Sequence, residues 1–272
     1  MTIDQLKEKA RRIRIDTLDM ILASGSGHLG GSFSATDIMV ALYYGTMRIF
    51  PDPDHPDRDR FILSKGHAAP ALYAILADKG YVDPSALKTL RRLGSPFQGH
   101  PDSAKCPGLD CTTGSLGQGI SVGAGMAYGL KLLKRDARVY VLAGDGELNE
   151  GICWEAFMAA GNFGLDNLTI IVDRNRIQLS GRTEEIMALE SLEAKVRSFG
   201  FDVDTIDGHD FSRILPALDR TVPGKPRCVI AGTIKGKGVS FMEDRVEWHG
   251  DLPKGGQIQE AYRELGGETH VR

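Results

Sequence analysis

Short apolar segments that alternate with stretches of helical length are the feature that most constrains the fold of this chain. Strands are predicted at 138–143, 168–173, 201–206 and 227–233, with a shorter one at 60–64. Because these segments are apolar almost throughout and enough residues separate them for crossover helices, they favour a parallel sheet covered on both faces. The expected fold class is α/β, a doubly wound parallel sheet with helices on both faces.

Apolar residues at helical spacing predict helices between these strands. Thr2 and Gln5 have the pattern of a capping box, and the helix that they open is expected to end near Gly25 or Gly27. No repeat and no Pro/Ser-rich linker divides the sequence, so residues 1–272 are expected to form a single domain with a polar tail from about residue 250. The remaining predicted helices span 34–44, 67–79, 117–134, 150–161, 190–199 and 210–220.

Charge and cysteine content exclude several classes of function. The net charge is −3 with both signs interspersed, so neither a nucleic acid nor an acidic membrane surface is an expected partner. Four cysteines do not make a disulfide scaffold in 272 residues. No apolar run reaches the ~18 residues of a membrane span, and the first residues lack the apolar core of a signal peptide. A cytoplasmic location is expected.

Glycine is over-represented, with 33 among 272 residues, and two glycines flank an acidic residue that follows a predicted strand. In Gly144-Asp145-Gly146 they allow the backbone to turn sharply and to approach a ligand closely. Asn175 follows the next strand, 30 residues after Asp145, which puts both side chains at the same edge of a parallel sheet. Carboxylate, amide and backbone carbonyl oxygens suit Mg²⁺ or Ca²⁺. The motif therefore predicts a site for a divalent cation at this edge of the sheet.

Four of the seven histidines lie in glycine-flanked loops: His28, His67, His100 and His249. Together with the Gly-Asp-Gly motif, its distant Asn and the phrase G-S-L-G-Q-G at 114–119, these loops resemble, in order and spacing, the amino-terminal cofactor-binding domain of transketolase. The resemblance runs from about residue 10 to about residue 250. The phrase S-K-G-H-A around His67 is the transketolase form rather than that of deoxyxylulose phosphate synthase.

The resemblance implies a thiamine diphosphate-binding fold with that cofactor and Mg²⁺ (or Ca²⁺). It also implies that His28 and His249 exchange protons with the ketose donor and the acceptor, while His100 hydrogen-bonds the two-carbon fragment. The metal ligands implied are Asp145, Asn175 and the carbonyl of Ile177. The cofactor-binding residues implied are His67, Gly114, Ser115, Leu116, Gly146, Glu147, Asn175, Leu179 and His249.

A partner subunit is a further implication of the resemblance. In this family the glutamate that activates the cofactor and the residues that grip the sugar phosphate lie in later domains, beyond the part that this sequence resembles. The expected function is that of the amino-terminal subunit of a split transketolase, which transfers a two-carbon ketol unit from a ketose phosphate to an aldose phosphate. We expect activity only with a carboxy-terminal subunit, in a dimer of heterodimers, with Glu150 near the contact between subunits.

Two other functions stay open on the sequence. The chain has features of the cofactor-binding subunit of another thiamine diphosphate enzyme, such as a 2-oxo acid dehydrogenase or a deoxyxylulose phosphate synthase-like enzyme. It is also compatible with a non-catalytic regulatory homologue. The set of four loop histidines argues against the dehydrogenase, and the intact metal ligands argue against the regulatory protein.

Several positions outside these motifs carry weaker expectations. Arg174 stands where many members of the family have Asn or Asp, so its local contacts are open. Lys235 and Lys237 are equally compatible with a lid near the cofactor and with a plain surface loop. His209 is expected to cap the helix that follows it. The histidines expected to be solvated are His55 and His270.

Overall fold

A five-stranded parallel sheet forms the centre of the protein in the computed structural model, which describes residues 1–267. The strands, in chain order, are β1 (Arg60–Leu63), β2 (Val139–Gly144), β3 (Leu168–Arg174), β4 (Ile177–Gln178), β5 (Gly181–Arg182), β6 (Asp202–Asp207) and β7 (Arg227–Gly232). The sheet has the order β1-β2-β3-β7-β6, and β4 and β5 pair separately as an antiparallel hairpin. The predicted parallel α/β class is confirmed.

Helices cover both faces of the sheet. They are α1 (Ile3–Ser24), α2 (Leu29–Ala41), α3 (Ala69–Asp78), α4 (Gln118–Leu132), α5 (Gly151–Asn162), α6 (Thr183–Ile186), α7 (Leu192–Ser198), α8 (Phe211–Asp219) and α9 (Gly256–Glu264). α1, α2, α3 and α8 share an apolar core with one face, and α4, α5 and α7 share another with the opposite face. β1, β2, β3 and β7 are covered on both faces and are largely apolar, whereas the edge strand β6 is partly exposed and carries Asp202, Asp204 and Asp207. Within residues 1–267 no helix has both the length and the apolarity to cross a membrane.

The second helix begins earlier than the sequence predicts. The glycine-rich phrase around His28 favours a loop up to Ser34, but α2 already begins at Leu29, and all thirteen of its residues are buried. Gly30 is required there because a Cβ at this position would lie 2.5 Å from the carbonyl oxygen of Trp248. Packing against the loop that carries His249 therefore outweighs the poor helix propensity of glycine.

The chain after about residue 250, predicted as a polar tail, contains the helix α9. Ala261 and Tyr262 of this helix are buried, and the Tyr262 hydroxyl donates a hydrogen bond to Asp19 of α1. Arg11 of α1 also donates to the carbonyl oxygen of Leu265, at 2.7 Å. The tail is polar on its outer side and is docked on α1 through its apolar side. His270, predicted to be solvated, lies outside the described residues.

The loops that leave β1, β2 and β3 meet at one edge of the sheet because these neighbouring strands are parallel. Gly144 at the end of β2 pairs with Asp173 near the end of β3. The backbone N–H of Ser64, just after β1, donates to the carbonyl of Leu142 at 2.9 Å. This register brings the Gly-Asp-Gly turn, Asn175 and the loop of His67 to the same edge.

Candidate functional site

A cavity of about 340 Å³ lies at this carboxyl edge of the sheet. Residues from the ends of β1, β2 and β3 and from the loop after β7 line it. The predicted site residues that line it are His67, Leu116, Asp145, Gly146, Glu147, Asn175, Ile177, Leu179 and His249. The other predicted site residues, which do not line it, are His28, His100, Gly114 and Ser115.

Asp145 is held in one orientation by three donors at the turn after β2. Its Oδ2 accepts from the backbone N–H of Arg176 at 2.6 Å and from Nη1 of Arg174 at 3.1 Å. Its Oδ1 accepts from the N–H of Gly146 at 2.8 Å. Its own backbone N–H donates to the carbonyl of Asp173. Burial raises the pKa of the Asp145 carboxyl, and Arg174 opposes this by favouring the ionised form.

Asn175 and Ile177 place two further oxygens at the same edge. The Asn175 Oδ1 accepts from the N–H of Ile177 at 3.1 Å, and its amide nitrogen donates to Ser34 at 3.4 Å. The Ile177 carbonyl accepts from Nζ of Lys235 at 3.3 Å. Carboxylate, amide and carbonyl oxygens are the donor set that Mg²⁺ and Ca²⁺ prefer. The three oxygens therefore suit a divalent cation by type, and Arg174 Nη1 and Lys235 Nζ contact two of them in this structure.

Arg174 connects this predicted metal site to the segment after the hairpin. Its buried guanidinium also donates to Thr183 Oγ1 at 2.8 Å, to Glu184 at 2.5 Å and to Glu190 at 3.0 Å. A guanidinium offers five donors in a planar fork, which is why one side chain can hold all of these acceptors. The arginine therefore holds Asp145 on one side and the start of α6 on the other.

Two lysines line the cavity. Lys65 is buried, and its Nζ donates to Asp173 Oδ2 at 2.5 Å and to the Gly31 carbonyl at 3.0 Å. Lys235 is also buried, so it does not belong to a plain surface loop, whereas Lys237 is partly exposed and pairs with Glu243. Burial and the neighbouring Lys65 lower the pKa of Lys235 to about 8. We call Lys65, Asp145, Asp173, Arg174 and Lys235 the charged floor.

Glu147 ties three loops of the site together. Its buried carboxylate accepts from the N–H groups of Gly117 at 2.7 Å and Gly144 at 2.9 Å, and from the Ser64 hydroxyl. Gly117 has a φ of 84°, a conformation that glycine adopts without strain. These three hydrogen bonds show that Glu147 holds the loops of Ser64, Gly117 and Gly144 together. Its contact with the cofactor stays a prediction.

Three histidine rings meet beside the charged floor. The ring centroids of His28 and His67 are 5.3 Å apart, those of His28 and His249 are 5.4 Å apart, and those of His67 and His249 are 5.2 Å apart. Burial, with the nearby cations, lowers the pKa of His28 to about 4 and that of His249 to about 3, and lowers that of His67 as well. We call these residues the histidine cluster. All three are neutral near pH 7.

His100 and the 114–116 segment lie on the outer side of the site. A Cβ at Gly114 would lie 3.2 Å from the ring of His100, so this glycine lets the two loops touch. His100 is exposed, although partial burial and then Arg91 lower its pKa. Ser115 and Leu116 are also exposed, and Leu179 is 71% exposed. These groups are accessible to a ligand or to another chain.

The remaining histidines differ partly from expectation. The cap of α8 is Asp210, whose side chain accepts from the N–H of Ser212, so the predicted capping role of His209 is wrong. His209 instead contacts Asp37 at 2.6 Å through Nδ1 and accepts from the N–H of Ile234 through Nε2. His55 is partly exposed and stacks on the ring of Phe50. Neither residue lies in the site.

Sequence reasoning missed two cations of the site. Lys65 stands close to the motif histidine His67, and its burial against Asp173 was not anticipated. Arg91 contacts His28 from a loop that has no motif. Proximity to a motif could have indicated Lys65, whereas the position of Arg91 depends on how its loop folds.

Comparisons with known proteins agree with this geometry. The family model described as "Transketolase, thiamine diphosphate binding domain" matches residues 5–271. One of the subunits of apulose-4-phosphate transketolase from Phocaeicola vulgatus is 42% identical over 97% of this chain and 95% of its own. A 6-deoxy-6-sulfo-D-fructose transketolase subunit of a Clostridium species is 45% identical over 90% of each chain.

Solved structures show the same fold. The transketolase of Campylobacter jejuni superposes with a TM-score of 0.92 at 33% identity, over 100% of this chain and 44% of that one. The transketolase of Leishmania mexicana gives 0.93 at 31% identity, over 100% of this chain and 42% of that one. The chain therefore spans less than half of these transketolases and nearly all of the relatives that are named as subunits.

Proposed function

We propose that this chain, which belongs to the transketolase family, is the thiamine diphosphate-binding subunit of a two-subunit transketolase. The single observation that carries this function is the carboxyl-edge cavity, which is lined by oxygen-bearing residues of the types that a divalent cation prefers and by histidines of the cluster. The enzyme would move a two-carbon ketol unit from a ketose to an aldose. The near-complete coverage of relatives named as subunits supports the two-subunit form.

The cofactor and metal are assigned to residues of this cavity. When bound, thiamine diphosphate supplies a nucleophilic carbon and an electron sink for cleavage of a C–C bond. Asp145, Asn175 and the carbonyl of Ile177 would hold Mg²⁺ (or Ca²⁺). The groups proposed to face the diphosphate are His67, Gly146, Glu147, Asn175 and His249, and those proposed beside the aminopyrimidine are Gly114, Ser115, Leu116 and Leu179.

Proton handling and substrate orientation are assigned to the histidines. Neutral imidazoles donate and accept hydrogen bonds at working pH without carrying a charge. The lowered pKa values of His28 and His249 support their placement against the reacting hydroxyl and carbonyl groups. His100, accessible on the outer side, is proposed to hydrogen-bond the two-carbon fragment.

An exposed apolar surface between α4 and α5 supports a protein partner. Tyr128 and Phe163 are both exposed and lie in contact there, with a ring-centroid distance of 5.1 Å. A groove of about 300 Å³ runs beside them. Large exposed apolar patches mark interaction surfaces. We assign this surface, together with the exposed Glu150, to the carboxy-terminal subunit, in a dimer of heterodimers.

The proposed donor is a ketose with an anionic end group. The relatives are named for a ketose phosphate and for a sulfonated ketose, so the donor differs among similar subunits. The end group would be held by the partner, since the family's residues for it lie in later domains. Pentose phosphates are the default donor and acceptor class, and the cytoplasm is the proposed location.

Calorimetric titration of thiamine diphosphate tests the proposal. The chain is titrated alone and mixed with a candidate carboxy-terminal subunit, each with Mg²⁺ and with EDTA. We expect tight binding only in the mixture with Mg²⁺, and we expect Asp145→Asn to abolish it. Equally tight binding without metal, or binding unaffected by Asp145→Asn, contradicts the assignment of the site.

A further inference from the structure

Arg91 reaches the histidine cluster from the loop that precedes His100. Its backbone lies in the left-handed region, with a φ of 60°, and its N–H donates to the carbonyl of Phe97 at 2.8 Å. Its Nη1 donates to the hydroxyl of Ser26, and its Nη2 lies 3.3 Å from Nδ1 of His28. The guanidinium therefore contacts the two residues that flank Gly27, directly before α2.

A guanidinium carries only donors and stays protonated in proteins. The ring nitrogen that faces it must therefore be the one with the lone pair. His28 is neutral near pH 7, because burial first, and then Arg91 and other cations, hold its pKa low. In a neutral imidazole whose Nδ1 is the acceptor, the single N–H is at Nε2.

We propose that Arg91 is a positioning residue that fixes His28 as the neutral Nε2–H tautomer, so that His28 offers an N–H donor to the substrate. This deepens the proposed function, on which it rests for the identity of the substrate as a ketose. A ketose carbonyl oxygen gains negative charge when its carbon is attacked, and an N–H donor stabilises that charge. A different residue of the site would then accept the proton from the substrate hydroxyl.

The packing around Arg91 leaves it little freedom. A Cβ at Gly99 would lie 3.1 Å from Arg91 Nε and 3.4 Å from its Cζ, so only glycine leaves the guanidinium its full space. Nε itself is buried and has no hydrogen-bond partner within residues 1–267. The orientation of the group is thus decided by its contacts with Ser26 and His28. The other titratable groups that face His28 are Lys65, His67, His100, Lys235 and His249.

Nitrogen NMR of the full chain tests the tautomer. Histidine is labelled with ¹⁵N, the His28 signals are assigned by their loss in His28→Asn, and two-bond ¹H–¹⁵N correlations are recorded at pH 7. We expect Nδ1 of His28 to show the ¹⁵N chemical shift of an unprotonated ring nitrogen and Nε2 to show that of a protonated one. In Arg91→Met we expect a mixture of tautomers and a His28 titration midpoint that moves up toward the ordinary value near 6.5.

The controls separate this role from a general loss of structure. Arg92→Met removes a neighbouring exposed arginine and is expected to leave both readouts unchanged. Arg91→Lys restores positive charge and should return the titration midpoint toward that of the parent chain. If Arg91→Met does not fold, Gly99→Ala displaces the guanidinium without removing it and should shift the same signals.

An Nδ1–H tautomer in the parent chain overturns the proposal, as do His28 signals that Arg91→Met and Gly99→Ala both leave unchanged. The measurement needs neither cofactor nor partner. Its outcome is therefore independent of the calorimetric titration that tests the proposed function.

Discussion

The charged floor and the histidine cluster lie side by side but are built in opposite ways. In the floor, Lys65 pairs with Asp173 and Arg174 pairs with Asp145, and all four side chains are at most 3% exposed. In the cluster, His28, His67 and His249 meet ring to ring and carry no charge near pH 7. The floor is held by ion pairs within the chain, whereas the cluster is held by ring contacts and by single contacts to cations, between Lys235 Nζ and His249 Nδ1 at 2.9 Å and between Arg91 Nη2 and His28 Nδ1 at 3.3 Å.

This difference separates stability from function within one site. A buried charge that loses its partner destabilises the fold, because desolvation is no longer compensated. A partly exposed neutral imidazole costs little when the residue that replaces it keeps its hydrogen bonds, because no buried charge then loses a partner. We therefore expect substitution of the Lys65–Asp173 pair of the floor to be felt as loss of stability and substitutions in the cluster as loss of ligand binding. Asp145 is the exception in the floor, because it is also a proposed metal ligand.

The largest expected effect is on the floor. Lys65→Met leaves the buried Asp173 carboxylate without its cation, so we expect the free energy of unfolding to fall by about 3–5 kcal/mol. Urea denaturation at pH 7.5 measures it. Lys105→Met, which removes an exposed lysine paired with Asp102, is the matched control and should cost at most about 1 kcal/mol. If Lys65→Met and Lys105→Met lower the free energy of unfolding equally, the proposed role of the floor in stability is wrong.

A smaller effect is expected in the cluster. Lys235 Nζ lies 2.9 Å from His249 Nδ1, and His249→Asn supplies an amide oxygen as an acceptor in its place. The substitution should therefore change the free energy of unfolding by less than about 1 kcal/mol, yet weaken thiamine diphosphate binding in the assembled enzyme about 10- to 100-fold, the usual effect of losing one hydrogen bond to a charged group. Calorimetry and urea denaturation are run on the same preparations. His55→Asn, outside the site, serves as the control. A stability loss comparable to that of Lys65→Met would place His249 in the floor.

A further effect is expected on the pH dependence of stability. The pKa of His28 is about 4 in the fold and about 6.5 in an unfolded chain. Between these values the unfolded state binds more protons, so the contribution of His28 is complete above pH 6.5 and is lost as the pH falls toward 4. Melting temperatures between pH 7.5 and 4.5 should decline less steeply in His28→Asn than in the parent chain. An identical decline contradicts the low pKa.

The sheet was predictable because its signal is local. β2, β3 and β7 are continuous apolar runs, and each lies within one or two residues of its predicted position. α9 was not predicted, although Ile258, Ala261, Tyr262 and Leu265 recur at helical spacing. Polar and glycine residues around them conceal that pattern, and only docking on α1 gives it a core to pack against.

The site was predictable where motifs follow strands. The parallel register makes the carboxyl ends of β2 and β3 adjacent, so Asp145 and Asn175 could be placed at one edge from spacing alone. The contact of Arg91 with His28 and the contacts of Arg174 could not be predicted from the sequence, because each depends on where a long side chain reaches in the folded molecule. Nothing in the sequence around Arg174 indicates that its guanidinium donates to four acceptors, which are Asp145, Thr183, Glu184 and Glu190.

Ketol transfer by separate and mixed subunits tests the central claim most directly. Three samples, namely this chain, a candidate carboxy-terminal partner and their mixture, are assayed with a ketose phosphate donor, an aldose phosphate acceptor, thiamine diphosphate and Mg²⁺. The account predicts activity in the mixture alone, and its loss when this chain carries Asp145→Asn. Full activity of this chain without a partner, or an active mixture with Asp145→Asn, would contradict it.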